Sequence, residues 1–218
     1  MFTGLVETTA TVCSLVRRGP EARLALAVKF DETPALGDSI SISGVCLTVV
    51  ENTAQGFAAD VSKETLDCTT LGALREGAAV NIERSVALGQ RMGGHVVLGH
   101  VDGVGRVREF AAVKDAKRLV VEAPATLQRY LASKGSVALD GVSLTVNRLS
   151  KDGGFEVMLV PHTLEATTLS ALVPGARVNL EADVLARYVA RQLDHTGITS
   201  PADGDAHIME KLRDGGFI

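Results

Sequence analysis

Short apolar runs broken at turn residues organise most of this chain. VCLTVVE, AAVNIE, SVALDG, SLTVNRL, FEVMLV and ARVNLE are rich in β-branched residues, alternate in part between apolar and polar, and are separated by Gly, Asn or Asp. Short strands at this spacing predict a sandwich or a closed barrel. Two stretches depart from the pattern. TLGALREG and TLSALVPG each read as a helical turn, capped by Thr70 or Thr168 and ended by Gly77 or Gly175. Towards the C-terminus the period becomes helical, since Val184, Leu185, Tyr188, Val189 and Leu193 fall on one side of VLARYVARQLD. That stripe reads either as a lid on its own domain or as an oligomer contact. The remainder, HTGITSPADGDAHIMEKLRDGGFI, is polar and Gly-rich with one short helical stretch, and reads as a mobile tail.

The apolar pattern occurs twice. GLVETTATV from Gly4 resembles GHVDGVGRV from Gly99, an offset of 95 residues. SISGVCLTV from Ser41 returns as ALDGVSLTV from Ala138 at an offset of 97, which aligns Gly44 with Gly141, Cys46 with Ser143 and Thr48 with Thr145. ETLDCTTLGALREGAAVNIE from Glu64 matches HTLEATTLSALVPGARVNLE from His162 at an offset of 98. Such slow drift is what small insertions in turns produce, so the chain is a tandem duplication.

Length permits this, because 218 residues can form two domains of roughly 100 residues that each bury a core. A hydrophobic fraction of 46% with 22% charged residues is ordinary for a soluble globular protein, and no apolar run approaches the ~18 residues of a membrane span. The start, MFTGLVE, lacks the basic residue of a secretory signal, which predicts a cytoplasmic protein without membrane association. Cys13, Cys46 and Cys68 are too widely spaced for a disulfide framework or a metal ribbon, so a cysteine can act only as a free thiol. A net charge of −4 without a long basic run lacks the footprint of a nucleic-acid binder. No glycine-rich phosphate loop or dinucleotide fingerprint occurs.

Candidate chemistry is found where the copies differ. Cys46 lies between Val45 and Leu47 and reads equally as a small buried hydrophobe or as a site thiol. Ser143 and Thr145 alternate within one strand, so both hydroxyls share a face opposite Val142, Leu144 and Val146, which suggests a polar-lined pocket. His95 and His100 bracket GGHVVLGHV at the junction of the copies, and His100, next to Gly99, is the stronger candidate for a titrating group. Lys134, Asp140 and Asp183 stand at the ends of apolar strands, where a solvated strand end is the alternative.

Taken in order, MFTGLVE, GVCLTV, KETL, GGHVVLGHVDG, GVSLTV and the run VNLEAD followed by VLARYV resemble the riboflavin synthase family over about residues 1–193. The resemblance implies an all-β fold of two tandem homologous six-stranded Greek-key β-barrels, residues 1–96 and 97–185, with a C-terminal α-helix and tail over 186–218 that would join a homotrimer. It implies a transferase that disproportionates two 6,7-dimethyl-8-ribityllumazine molecules by four-carbon transfer. No metal or other cofactor would take part, and association with lumazine synthase is a further expectation. By the family's pattern Gly4, Leu5, Val6, Cys46, Leu47 and Thr48 would line the N-terminal pocket, with Asp60, Val61, Ser62, Lys63, Glu64 and Thr65 as the adjoining strand. The C-terminal pocket would use Gly99, His100, Val101, Lys134, Asp140, Ser143, Leu144 and Thr145, with Met158, Leu159, Val160, Pro161, His162 and Thr163. Implied roles are a proton carrier for His100, hydrogen-bond donors or activators for Ser143 and Thr145, a nucleophile or orienter for Cys46, and polarisation of a hydroxyl or water by Asp183. The alternative within the family is a lumazine or flavin carrier that keeps the fold without catalysis. A flavin-binding reductase module is disfavoured, since no residues remain for a nicotinamide domain.

Overall fold

The computed structural model describes residues 1–196 and Arg213. Most of the tail read above as mobile lies outside the described residues. The first repeat forms β1 (Thr8–Arg18), β2 (Glu21–Ala27), β3 (Ser39–Ile42), β4 (Val45–Thr53), β5 (Gly56–Val61), α1 (Lys63–Cys68) and β6 (Ala79–Arg84). The second forms β7 (Gly103–Val113), β8 (Ala116–Glu122), α2 (Ala125–Gln128), β9 (Ser136–Leu139), β10 (Val142–Leu149), β11 (Gly154–Leu159), α3 (Pro161–Ala166) and β12 (Arg177–Ala182). Each repeat closes into a six-stranded antiparallel barrel of Greek-key order, β1-β2-β5-β4-β3-β6 and its counterpart β7-β8-β11-β10-β9-β12. Closure leaves neither sheet with a free edge. The repeat extends to irregularities, for the register shifts at Val12/Ser14 and Val49/Glu51 recur at Val107/Glu109 and Val146/Arg148. Bulges of this kind bend strands enough to turn a barrel's corners.

Period-2 alternation fills each barrel. In β4, Val45, Leu47 and Val49 point inward to join Leu24, Leu26, Ile40 and Phe57 in the first core, while Thr48 is exposed. In β10, Val142, Leu144 and Val146 do the same with Leu119, Leu139 and Phe155, while Thr145 is exposed. The interiors are therefore packed with side chains, and polar residues of β4 and β10 lie on the outer surface.

Helical structure departs from the expectation in two respects. Residues Lys63–Thr65 do not extend a strand, because Ser62 accepts the Thr65 amide at 3.1 Å and caps α1. In the second copy Pro161 occupies the first turn of α3, where its missing N–H costs nothing. The turns read from TLGALREG and TLSALVPG are 3-10 helices, Thr70–Ala73 and Thr168–Ala171. Their caps are Thr69 and Thr167, whose hydroxyls accept from Leu71 and Leu169, and both turns end before Gly77 and Gly175 are reached.

The barrels meet across a pseudo-twofold axis made of reciprocal contacts. Asn81 donates to the Asp140 carbonyl and accepts from the Thr168 amide, and Asn179 donates to the Ser43 carbonyl and accepts from the Thr70 amide. Phe2 and Val97 bond to each other's backbone and share a small apolar cluster with Ala138 and Cys46. Gly44 and Gly141 face each other so closely that a Cβ on either would lie 2.7 Å from the other's amide nitrogen. Both barrels belong to one compact unit, Met1–Asp183, and the residues from Val184 onward form another. In the latter, α4 (Val184–Thr196) carries Leu185, Tyr188, Val189 and Leu193 as an exposed apolar stripe. No helix among the described residues is long and apolar enough to cross a membrane.

Candidate functional site

Two equivalent outer faces, one per barrel, hold most of the expected side chains. On the first, Cys46 is half-buried and Thr48 exposed on β4, paired to Ser41 and Ser39 of β3. Asp60 is exposed on β5, and Ser62, Lys63 and Glu64 follow it, also exposed, with Thr65 half-buried. Val61 and Leu47 point into the core instead. The second face carries half-buried Ser143 and exposed Thr145 on β10, paired to Ala138 and Ser136 of β9. Met158 is half-buried, Val160, Pro161 and His162 are exposed and Thr163 is half-buried, whereas Leu144 and Leu159 belong to the core.

The glycine loops that precede β1 and β7 are exchanged relative to the sequence expectation. Gly4 is not grouped with Cys46: its carbonyl accepts the Ser143 amide at 2.8 Å, and Val6 packs against the second core. Gly99 takes the reciprocal place, accepting the Cys46 amide at 2.9 Å, with Val101 packed against the first core. Their φ angles of +75° and +79° turn each carbonyl across the pseudo-axis, and only a residue without Cβ fits, since a Cβ would approach the Ser143 or Cys46 side chain within 2.6 or 2.5 Å. His100, the next residue, is exposed and lies on the loop at the Cys46 face. Leu5 is likewise exposed on the loop at the Ser143 face.

The histidine brought to a candidate hydroxyl is His95. Its Nδ1 lies 2.7 Å from Ser143 Oγ, its backbone amide donates to the Thr3 carbonyl, and its Nε2 is buried without a hydrogen-bond partner among the described residues. Burial pushes the imidazole pKa down, partly offset by the charge of Asp183. A neutral ring beside Ser143 can accept the hydroxyl proton or donate to its oxygen. His95 carried a weaker signal than His100 in the sequence, and only the fold of the GGHVVLGHV junction brings it to Ser143.

Two expected residues have other settings. Asp140 is buried in the β9–β10 turn at φ +45°, accepting the Asn179 amide at 2.7 Å, and burial pushes its carboxyl up to about 7. Its side chain is therefore tied to the backbone of β12 in its own barrel, while its carbonyl accepts from Asn81 of the other. Lys134 is exposed in the turn entering β9, where its amide bonds to the Val146 carbonyl. Charge also separates the faces. Arg23 pairs with Asp60 at 2.6 Å and Glu51 at 2.9 Å and holds the Asp60 carboxyl below its usual range. Its counterpart Arg118 pairs with Glu109 and Glu156, while Met158 stands where Asp60 would be. An open surface cavity of about 700 Å³, lined by Phe30, Thr53 and Gln55 among others, contains none of the candidate side chains. No cluster of metal-ligating side chains occurs among the described residues.

Comparison with known proteins agrees with the duplication. Residues 3–85 and 98–183 match the family model of the lumazine binding domain. The riboflavin synthase of Mycobacterium tuberculosis (strain ATCC 25618 / H37Rv) is 45% identical over 201 residues, covering 90% of this chain and 100% of that protein. That of Photobacterium phosphoreum is 39% identical over 223 residues and covers 100% of both chains. Among solved structures, LumP complexed with 6,7-dimethyl-8-(1'-D-ribityl) lumazine superposes with a TM-score of 0.76 at 23% identity, over 84% of this chain and 99% of that one. This last likeness is one of fold.

Proposed function

Because the chain belongs to the riboflavin synthase family of duplicated lumazine-binding domains, we propose that it converts two 6,7-dimethyl-8-ribityllumazine molecules into riboflavin and 5-amino-6-(D-ribitylamino)uracil, the last step of riboflavin biosynthesis. The observation that carries this reading is the pair of equivalent faces with unequal chemistry, a thiol beside Gly99 on one and a hydroxyl beside His95 on the other. A four-carbon transfer between two copies of one substrate needs one copy to lose a proton from its C7 methyl and the other to be made electrophilic. Binding both on related but different surfaces replaces a bimolecular encounter with fixed orientation, worth several kcal/mol of barrier.

Each face offers its ligand a row of side-chain donors and acceptors on a rigid strand, together with backbone from the loop of the opposite repeat. On the second face, Ser143 and Thr145 serve as hydrogen-bonding groups, with His95 holding the Ser143 hydroxyl and Asp183 biasing the charge of that histidine. On the first face, Cys46 and Thr48 take the equivalent places, Cys46 as nucleophile or orienter, and His100, next to the Gly99 that bonds Cys46, is the proton carrier. Both faces are open on a single chain. The exposed stripe of α4 supplies the contact for a homotrimer in which a first face of one subunit closes on a second face of the next. A cytoplasmic location and association with lumazine synthase complete the proposal.

The test is incubation of purified protein with 6,7-dimethyl-8-ribityllumazine near neutral pH and separation of the products by chromatography. Riboflavin and the pyrimidine appearing in equal amounts support the synthase reading. Tight binding without turnover makes the protein a lumazine carrier. Within the same assay, Cys46→Ala is expected to lower turnover on the order of 10²-fold if the thiol acts in the chemistry. Unchanged turnover leaves Cys46 a packing role only.

A further inference from the structure

We propose that Glu83 and Glu181 are crossed positioning residues: each carboxylate, built into one barrel, holds the loop that completes the ligand face of the other. Glu83 on β6 accepts the Thr3 amide at 2.6 Å, the Thr3 hydroxyl at 2.8 Å and the Gly4 amide at 3.0 Å. Glu181 on β12 accepts the amides of Leu98, Gly99 and His100 at 2.7, 2.9 and 3.1 Å. Both side chains are buried, and each exhausts three donors of one short loop. The loop held by Glu83 in the first barrel then gives the Gly4 carbonyl to Ser143 of the second, and the loop held by Glu181 in the second gives the Gly99 carbonyl to Cys46 of the first.

A solvated strand end explains neither glutamate. A buried carboxylate is costly unless its oxygens are satisfied, and charge-assisted bonds to amides are among the stronger ones a protein makes. The loop donors repay burial here in both copies, so the residues are set where their charge fixes backbone. Burial raises both carboxyls while the loop donors pull them back down. In the register, Glu83 stands opposite Ser41, which pairs in turn with Cys46, and Glu181 stands opposite Ala138, which pairs with Ser143. Each glutamate is thus on the sheet of its own barrel's face yet bonded to the loop that serves the other. Glutamine in its place keeps the shape but turns one acceptor into a donor aimed at an N–H, which would release part of the loop.

This inference rests on the reading of the two faces as lumazine- or flavin-binding surfaces. The test is hydrogen–deuterium exchange of the full-length protein and of Glu83→Gln and Glu181→Gln, with and without riboflavin as the probe. In the wild type riboflavin should protect peptides containing Val45–Thr48 and peptides containing Val142–Thr145. Glu181→Gln is expected to raise the riboflavin concentration needed for protection at Val45–Thr48 on the order of tenfold and to leave Val142–Thr145 unchanged, and Glu83→Gln to do the reverse. A general loss of stability would weaken both faces together and cannot produce that crossing. Loss on the mutated barrel's own face, equal loss on both faces or no loss overturns the inference while leaving the binding reading intact. A wild type protected at neither face overturns both. Should a glutamine variant fail to fold, Glu83→Asp and Glu181→Asp keep the charge and shorten its reach, and the same crossed pattern is required of them.

Discussion

Gly141→Ala is expected to cost about 2–5 kcal/mol of unfolding free energy. Two penalties combine. At φ +80° an alanine meets the steric cost of left-handed backbone, and its Cβ would lie 2.7 Å from the Gly44 amide nitrogen and 3.1 Å from the Gly44 Cα, neither of which can turn aside. The obstacle is main chain, so the barrels must separate. Gly175→Ala is the control, because its φ of +88° imposes similar backbone strain while its Cβ would meet nothing within 4 Å. It should cost about 1–2 kcal/mol. Urea unfolding at fixed protein concentration reads the difference. The double variant Gly44→Ala with Gly141→Ala should cost less than the sum of the singles, since the first methyl already opens the gap that the second would need. A Gly141→Ala loss no larger than that of Gly175→Ala would mean that the barrels are not pressed together at this point.

Much of this fold was legible because its cause is local. Strands such as VCLTVVE and SLTVNRL carry their inward and outward faces in their own alternation, so β4 and β10 and the exposure of Thr48 and Thr145 follow from order alone. Duplication then predicted that the same unit forms twice, whereas the six-stranded Greek-key order followed only from the family resemblance. The helix caps were harder, because Thr69 and Thr70, or Thr167 and Thr168, are chemically alike and only the Leu71 and Leu169 amides distinguish them. Reading the strand on through Lys63 overlooked Ser62, a cap signal that was present in the sequence.

Pairing of loops with faces was not legible at all, for a definite reason. A repeat states that Gly4 corresponds to Gly99 and Cys46 to Ser143, and that statement is identical whether each loop serves its own barrel or the other. Exchange across a pseudo-twofold axis leaves the sequence pattern unchanged. Only the spatial contacts, the Gly4 carbonyl on the Ser143 amide and the Gly99 carbonyl on the Cys46 amide, break the tie. The choice of His100 over His95 failed to find the Ser143 contact for a related reason, since a glycine neighbour indicates close approach of backbone but not which side chain turns inward. Asp140 was expected at a ligand face because its strand-end position looks the same whether its carboxyl meets solvent or the backbone of a neighbouring strand.

Asp140→Asn should stabilise the protein at alkaline pH and not at acid pH. Its carboxyl has an ordinary pKa of 3.8 when the chain is unfolded and one raised to about 7 by burial in the fold. Below about pH 4 the group is neutral in both states and costs nothing. As pH rises from there towards 7 the unfolded chain ionises while the folded one resists, so stability falls through this window, and above it the deficit stays constant. The full shift would correspond to about 4 kcal/mol, an upper bound given that nearby backbone can relax, and about 2–4 kcal/mol is expected. Asparagine suits the site, because it tolerates the φ of +45° and its side-chain oxygen can still accept the Asn179 amide. The first repeat has Ser43 at the equivalent turn, at φ +44° with its hydroxyl oxygen accepting the Asn81 amide at 3.2 Å, so a neutral acceptor already serves this role once in the molecule. Urea unfolding of wild type and variant at pH 4.5 and pH 8, at one protein concentration, isolates the effect, because Glu83, Glu181 and His95 contribute alike to both proteins. The gap should widen in favour of the variant as pH rises. A constant gap would show that Asp140 ionises as readily in the fold as in the unfolded chain, and that water reaches the turn between the barrels.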